Sequence, residues 1–192
     1  MSTKIDDAEI HKIVQHVLQQ ALGRPEHGDA PDNLTSQPVS SGKKVVAVGA
    51  DHGGFELKEA LKPELNALGF EVKDVGTNSK EAVDYPDFAH AVAQLVSTGK
   101  AWRGIMIDGV GIGSCIVANK VPGVRAGMAY DISSASNSRE HNDTNVLTLG
   151  AGMIGVNLAK QIVRIWLTTE FGGDRHTKRI NKIISVEKQY LK

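Results

Sequence analysis

The chain is predicted to fold as a doubly wound α/β domain built on a parallel sheet. Three observations carry this. Short apolar runs of strand type alternate with segments of helical spacing at intervals of roughly 25 residues. No hairpin signal joins neighbouring strands, so each connection is a crossover through a helix. The stretch Gly104 to Lys120, GIMIDGVGIGSCIVANK, reads as a buried strand, a tight glycine loop and a helix start.

In order, residues 5–22 place Ile10, Ile13, Val14, Val17, Leu18, Ala21 and Leu22 on one face, which predicts an amphipathic helix. Asp6 with Glu9 three residues on can cap its start, and Gly23 with Pro25 stops it. Residues 24–43 hold three of the six prolines without apolar periodicity and read as a tether. An isolated helix of that length is marginal in water, so its stripe wants a partner. Docking on its own domain, docking on a sister subunit and service as a detachable targeting peptide all fit. Three segments follow: an appendage helix over 1–23, a linker over 24–43 and a globular domain over 44–192.

Within the domain, Val45–Val48 reads as a buried strand, followed by a loop carrying Asp51 and His52. Leu57, Leu61, Leu65 and Leu68 then keep helical spacing, and Pro63 among them predicts a kink near Lys62. Phe70–Val75 is the second strand. Tyr85 stands before Pro86, a good first helical residue, and Phe88, Val92, Leu95 and Val96 form the buried stripe of the helix that follows. After the glycine-loop strand and a helix ending near Lys120, Val124–Met128 is a fourth strand and Asp131–Glu140 a helix. Val146–Leu149 is the fifth strand, Gly155–Leu167 a helix, and the tail a last, basic helix.

Lys plus Arg and Asp plus Glu both number 22, so charge offers no argument for a nucleic-acid or membrane-surface partner. The single cysteine, Cys115, excludes an internal disulfide framework and fits a reducing, cytoplasmic setting. Asp6, Asp7 and Glu9 stand where a secretory signal would be basic and then apolar, and no apolar run approaches the ~20 residues of a membrane span. No spacing of His, Cys and Asp suggests a metal site, and no cofactor is expected.

The loop Gly109, Val110, Gly111, Ile112, Gly113 and Ser114 can turn backbone N–H groups toward one point in front of a helix start, a place suited to an oxyanion or phosphate. Asp108 beside it is either a general base or a hydrogen-bonding clamp. Asp51, His52 and Asp108 fall at strand C-termini and should be neighbours along one sheet edge. His141 and Asn142 precede the fifth strand, on the opposite edge, and could serve that site only across a subunit interface. Each histidine also has a purely structural reading. Arg175 and Arg179, four apart on the first turn of the last helix, suit a dianionic phosphate; a solvated basic face is the alternative.

GADHGGFELK, DYPDFA, GVGIGSCIVANKVPGVRA, REHNDTNVLTLG and GGDRHTKR together resemble the sugar-phosphate isomerases of ribose-5-phosphate isomerase type B and the galactose-6-phosphate isomerase subunits, from about Lys44 onward. The resemblance implies a Rossmann-like three-layer α/β/α sandwich with five parallel strands. It implies a homodimer or homotetramer with interface active sites, and metal-free aldose–ketose isomerisation of a sugar phosphate through an enediolate. It assigns Asp51, His52, Tyr85, Asn142 and the loop residues Gly109, Gly111, Ile112, Gly113 and Ser114 to the substrate. His141 falls to ring opening, and Arg175 with Arg179 to the phosphate. Where many members carry a cysteine base this chain has Asp108, where they carry a threonine it has Val110, and where an arginine follows the fifth strand it has Gly152. Asp108 is then the substitute base, or the chain is a non-catalytic sugar-phosphate binder or partner subunit. Residues 1–23 with their tether resemble encapsulation peptides, which implies a shell-protein partner and a place inside a bacterial microcompartment.

Overall fold

The computed structural model describes residues 42–190. The amphipathic helix foreseen over 5–22 and nearly all of the tether lie outside them. The described elements are β1 (Val45–Ala50), α1 (Phe55–Ala67), β2 (Glu71–Asp74), α2 (Tyr85–Ser97), β3 (Arg103–Asp108), α3 (Ile112–Ala118), β4 (Ala126–Met128), α4 (Ile132–Glu140), β5 (Val146–Gly150), α5 (Val156–Thr168) and α6 (Asp174–Tyr190). All five strands are parallel, in the order β2-β1-β3-β5-β4. This is the Rossmann-like α/β/α sandwich foreseen from the sequence.

The three central strands are near-continuous apolar runs because helices cover both faces. Leu57, Leu61 and Leu65 of α1 join Ala135 of α4 and Ile162, Val163 and Trp166 of α5 on one face. Ala89, Val92, Ala93 and Val96 of α2 join Ala118 of α3 on the other. The edge strands are shorter than their apolar runs: Phe70 and Val75 flank β2, and Val124 and Arg125 precede β4.

The chain leaves β1 for α1 on one face and β3 for α3 on the opposite face. Adjacent strands whose connections part in this way open a crevice at their C-terminal ends, the switch point where such sheets bind ligands. Asp51 and Asp108 are the residues at those two ends.

Two local findings matter. The kink expected at Pro63 is absent: α1 runs unbroken through it. Pro63 lies exposed, so the carbonyl deprived of its N–H partner faces water, while Leu57, Leu61 and Leu65 anchor the helix on both sides of it. Arg103, 4% exposed at the start of β3, donates to the carbonyls of Trp166 and Leu167, each at 2.9 Å. Its guanidinium lies 4.0 Å from the Trp102 ring and 5.2 Å from that of Trp166. Burial, aided by nearby Arg139, pulls its pKa down to about 10, and the terminal carbonyls of α5 compensate the charge. Arg103→Met keeps the packing but orphans both carbonyls, and is expected to lower the unfolding free energy by about 2–4 kcal/mol, read from urea denaturation. An unchanged midpoint would show that water replaces the guanidinium.

Candidate active site

The glycine loop is folded around Asp108. Oδ1 accepts from the backbone N–H of Val110 at 2.8 Å and from that of Gly111. Oδ2 accepts from the Ser114 N–H at 3.2 Å and from its hydroxyl at 2.5 Å. The carboxylate is 5% exposed and holds the loop as its central acceptor. Gly111 makes the turn at φ +90°, which an L side chain rarely adopts, and its C=O begins the hydrogen bonding of α3. Gly113 is required for a different reason: a Cβ there would stand 2.5 Å from Tyr85 Cζ, so the Tyr85 ring lies flush against the loop.

The neighbourhood foreseen for the sheet's C-terminal edge is present. The Asp51 N–H donates to the Ile107 carbonyl at 3.2 Å, and the Asp51 carboxylate caps its own turn by accepting from the Gly54 N–H at 2.9 Å. His52 Nδ1 meets the backbone of Val83 at 3.2 Å, tying the exposed imidazole to the segment that leads into Tyr85. Ala151 and Gly152 donate to the carbonyls of Asp108 and Gly109, at 2.8 and 2.9 Å, so the loop after β5 closes the crevice's far side. Val110 is half exposed at the mouth.

His141 and Asn142 lie at the other end of the sheet, before β5, as their chain position implied. His141 is the C-cap of α4, and its Nδ1 stands 2.9 Å from Asn137 Nδ2. Asp143, at φ +45°, is gripped by Arg125 at 2.7 Å and Arg139 at 2.8 Å, while Arg125 also donates to the Asn142 carbonyl at 3.2 Å. This clamp sets the turn that presents His141 and Asn142. The start of α6 packs alongside, with the Gly172 N–H on the Glu140 carbonyl at 2.9 Å. Arg175 and Arg179 are exposed there, and the arginines in ion pairs among the described residues are Arg125, Arg139 and Arg164 instead. Within one chain the structure therefore makes two groups at opposite sheet edges. Asp51, His52, Tyr85, Asp108 and the loop Gly109–Ser114 form one; His141, Asn142, Arg175 and Arg179 form the other.

Some residues at these loops take roles that the sequence did not specify. The Tyr130 hydroxyl donates to the Val110 carbonyl at 2.6 Å and pins the glycine loop from β4. Asp131, an ionisable loop residue in the sequence, is the N-cap of α4, accepting from the Ser134 N–H at 2.8 Å, which holds its carboxyl below the usual range. Cys115 is half-buried in α3 with its thiol on the Ala126 carbonyl at 3.5 Å, and burial pushes its pKa up. Arg139 and Asp143 are four apart, a spacing that could have flagged their ion pair.

His176, 7% exposed, stacks on His141 with ring centroids 4.2 Å apart. Burial, then the charges of His141, Arg175 and Arg179, hold its pKa below the ordinary 6.5. A group that binds its proton more weakly folded than unfolded withdraws stability as pH falls through the unfolded value and below. Thermal stability is therefore expected to decline from pH 7 to 5, with a flatter profile in His176→Phe; equal slopes would contradict this.

Among the described residues no group of three or more His, Cys, Asp or Glu side chains is placed to hold a metal ion, and no helix is long and apolar enough to cross a membrane. An α/β sandwich with a glycine loop folded around a buried carboxylate at its switch point is the arrangement in which open parallel sheets bind small ligands. Residues 46–183 match the family described as Ribose/Galactose Isomerase. The chain is 48% identical over 147 residues to the putative sugar phosphate isomerase YwlF of Bacillus subtilis, covering 76% of this chain and 99% of that protein. It is 44% identical over 146 residues to ribose-5-phosphate isomerase B of Escherichia coli, covering 76% and 98%. Against the D-erythrulose-4-phosphate isomerase of Pectobacterium atrosepticum it is 41% identical over 145 residues, covering 75% and 95%. The solved ribose-5-phosphate isomerase B of Clostridium thermocellum superposes with a TM-score of 0.75 at 48% identity, covering 77% and 99%. The chain belongs to the ribose/galactose isomerase family, and is a sugar-phosphate isomerase of the aldose–ketose kind.

Proposed function

We propose that the protein interconverts ribose 5-phosphate and ribulose 5-phosphate, or a closely related aldose–ketose pair, through an enediolate, with Asp108 as the base. The observation that supports Asp108 is the division of labour between its oxygens. Oδ1 is committed to two loop N–H groups, whereas Oδ2 is held by Ser114 alone, through a rotatable hydroxyl and a longer N–H contact. Turning the hydroxyl frees Oδ2 toward the crevice. The base then removes the proton alpha to the carbonyl and returns it to the former carbonyl carbon, while the proton of the neighbouring hydroxyl passes to the former carbonyl oxygen. Loop amides outside Asp108's grasp, those of Gly109, Ile112 and Gly113, stabilise charge developing on oxygen. Asp51, His52 and Tyr85 bind the sugar at the same edge. His141 opens the ring, Asn142 binds a hydroxyl, and Arg175 with Arg179 grip the phosphate. Because these last groups stand at the opposite sheet edge, a working site takes them from a second copy of the chain, in a homodimer or homotetramer.

One observation favours a second reading. Four hydrogen bonds occupy the Asp108 carboxylate, which makes it a clamp for the loop and the chain a sugar-phosphate binder or partner subunit. A panel of tetrose, pentose and hexose phosphates in deuterated water separates the two. Exchange at the carbon alpha to the carbonyl, retained in Ser114→Ala and lost in Asp108→Asn, supports the base. Sugar-phosphate binding without exchange for any member of the panel supports the clamp.

The family's solved structures include one from Mycoplasma genitalium with bound ribulose-5-phosphate, at 37% identity, which puts that sugar first in the panel. For residues 1–23 we propose a role as an encapsulation peptide directed at a microcompartment shell protein. Deleting residues 1–42 is expected to leave activity and oligomer intact while abolishing co-sedimentation with shells. Loss of the oligomer on deletion would make the segment structural instead.

A further inference from the structure

Asn137 Nδ2 donates to His141 Nδ1, which leaves the His141 proton on Nε2, 3.8 Å from Glu140 Oε1. Arg175 Nε donates to His176 Nε2 at 3.3 Å, so the neutral His176 carries its proton on Nδ1, a buried atom with no acceptor among the described residues. The rings lie 12° from parallel with centroids 4.2 Å apart. Two imidazolium ions cannot share such a stack beside two guanidinium groups, and His176, buried and donated to by Arg175, is the ring that stays neutral. The charged groups facing the pair are Glu140 from α4 and Arg175 and Arg179 from α6.

We propose that His141 and the arginine pair form one linked unit with His176 as its positioning residue: His176 stacks under His141 and orients Arg175, so a dianion seated on Arg175 and Arg179 draws a proton onto His141. The unit rests on the reading of the arginines as the phosphate clamp and of His141 as the ring-opening acid. It ties that acid to the clamp: a phosphorylated substrate on the arginines favours the proton on His141, and a phosphate-free sugar lacks that help.

Inorganic sulfate, a dianion throughout the working range, tests this on the full-length chain without titrating itself. Calorimetry in buffers of different ionisation enthalpy is expected to show wild type taking up between half and one proton per sulfate near pH 7, and binding weakening by at most about tenfold per pH unit as pH rises. His141→Phe should abolish the uptake. His176→Phe keeps a ring under His141 but removes the acceptor of Arg175, and is expected to weaken sulfate binding severalfold; His176→Asn restores the acceptor and the affinity. Sulfate binding without proton uptake overturns the linkage while the clamp stands, as does uptake that persists in His141→Phe. Affinity unchanged in His176→Phe removes His176 from the unit. Failure of wild type to bind sulfate removes the clamp and the linkage with it. Should a variant not fold, the wild-type uptake decides by itself.

Discussion

Asp108→Asn is expected to abolish deuterium exchange from the carbon alpha to the carbonyl and to lower kcat by about 10²–10⁴-fold, the range a positioned general base supplies. The substitution is close to isosteric. Its amide oxygen can still accept from Val110 and Gly111, as Oδ1 does now, and its NH₂ can donate to the Ser114 hydroxyl. Only the Ser114 N–H then faces a donor, so the loss of stability should stay near 1–2 kcal/mol, the penalty of one unsatisfied buried group. A large fall in kcat with a small fall in the denaturation midpoint separates chemistry from collapse of the loop. Ser114→Ala is the complementary variant: it strips one hydroxyl from Oδ2, and exchange that persists or rises there marks Oδ2 as the working oxygen. Comparable exchange in wild type and Asp108→Asn would place the base elsewhere.

Replacing Arg175 and Arg179 together by glutamine is expected to lower kcat/KM for the sugar phosphate by about 10²–10⁴-fold, since two charge-assisted contacts of roughly 1.5–3 kcal/mol each disappear. The remote phosphate contributes binding energy that orients the reacting carbons, so part of the loss should fall on kcat. Folding should hardly change. Both side chains are exposed, and the charge of Arg175 on the first turn of α6 opposes the helix dipole, so its removal costs no local helix stability. A double variant with unaltered kinetics would mean that the arginines are a solvated basic face.

The layers of this fold were legible because both periodicities survive in the sequence. Ile105 to Ile107 is apolar throughout, as a strand covered on both faces must be, and Leu57, Leu61 and Leu65 return at helical spacing. Those same leucines explain why Pro63 leaves α1 unbroken: packing on both sides of an exposed proline outweighs its local preference. The glycine loop was legible as an anion cradle, but not which anion fills it. Asp108 reaches its donors only two, three and six residues on, yet whether those amides turn to the carboxylate or to a ligand is decided by backbone dihedrals that residue types leave open. His176 beneath His141 left no local trace, since the stack joins residues far apart in sequence. Tyr130 likewise reaches Val110 across the sheet, from the end of β4. Arg139 and Asp143 did carry a readable spacing, but it straddles the end of α4, where helical neighbours are no longer assured.

The mixing of two inactive variants tests most directly whether the carboxylate edge of one copy works with the arginine edge of another. Asp108→Asn and Arg175→Gln/Arg179→Gln are prepared separately, unfolded, combined in equal amounts and refolded. Random pairing puts half of the dimers in the mixed form, each with one intact and one doubly damaged site, so about a quarter of the wild-type exchange rate should return. A mixture as silent as its two parents would contradict the shared site.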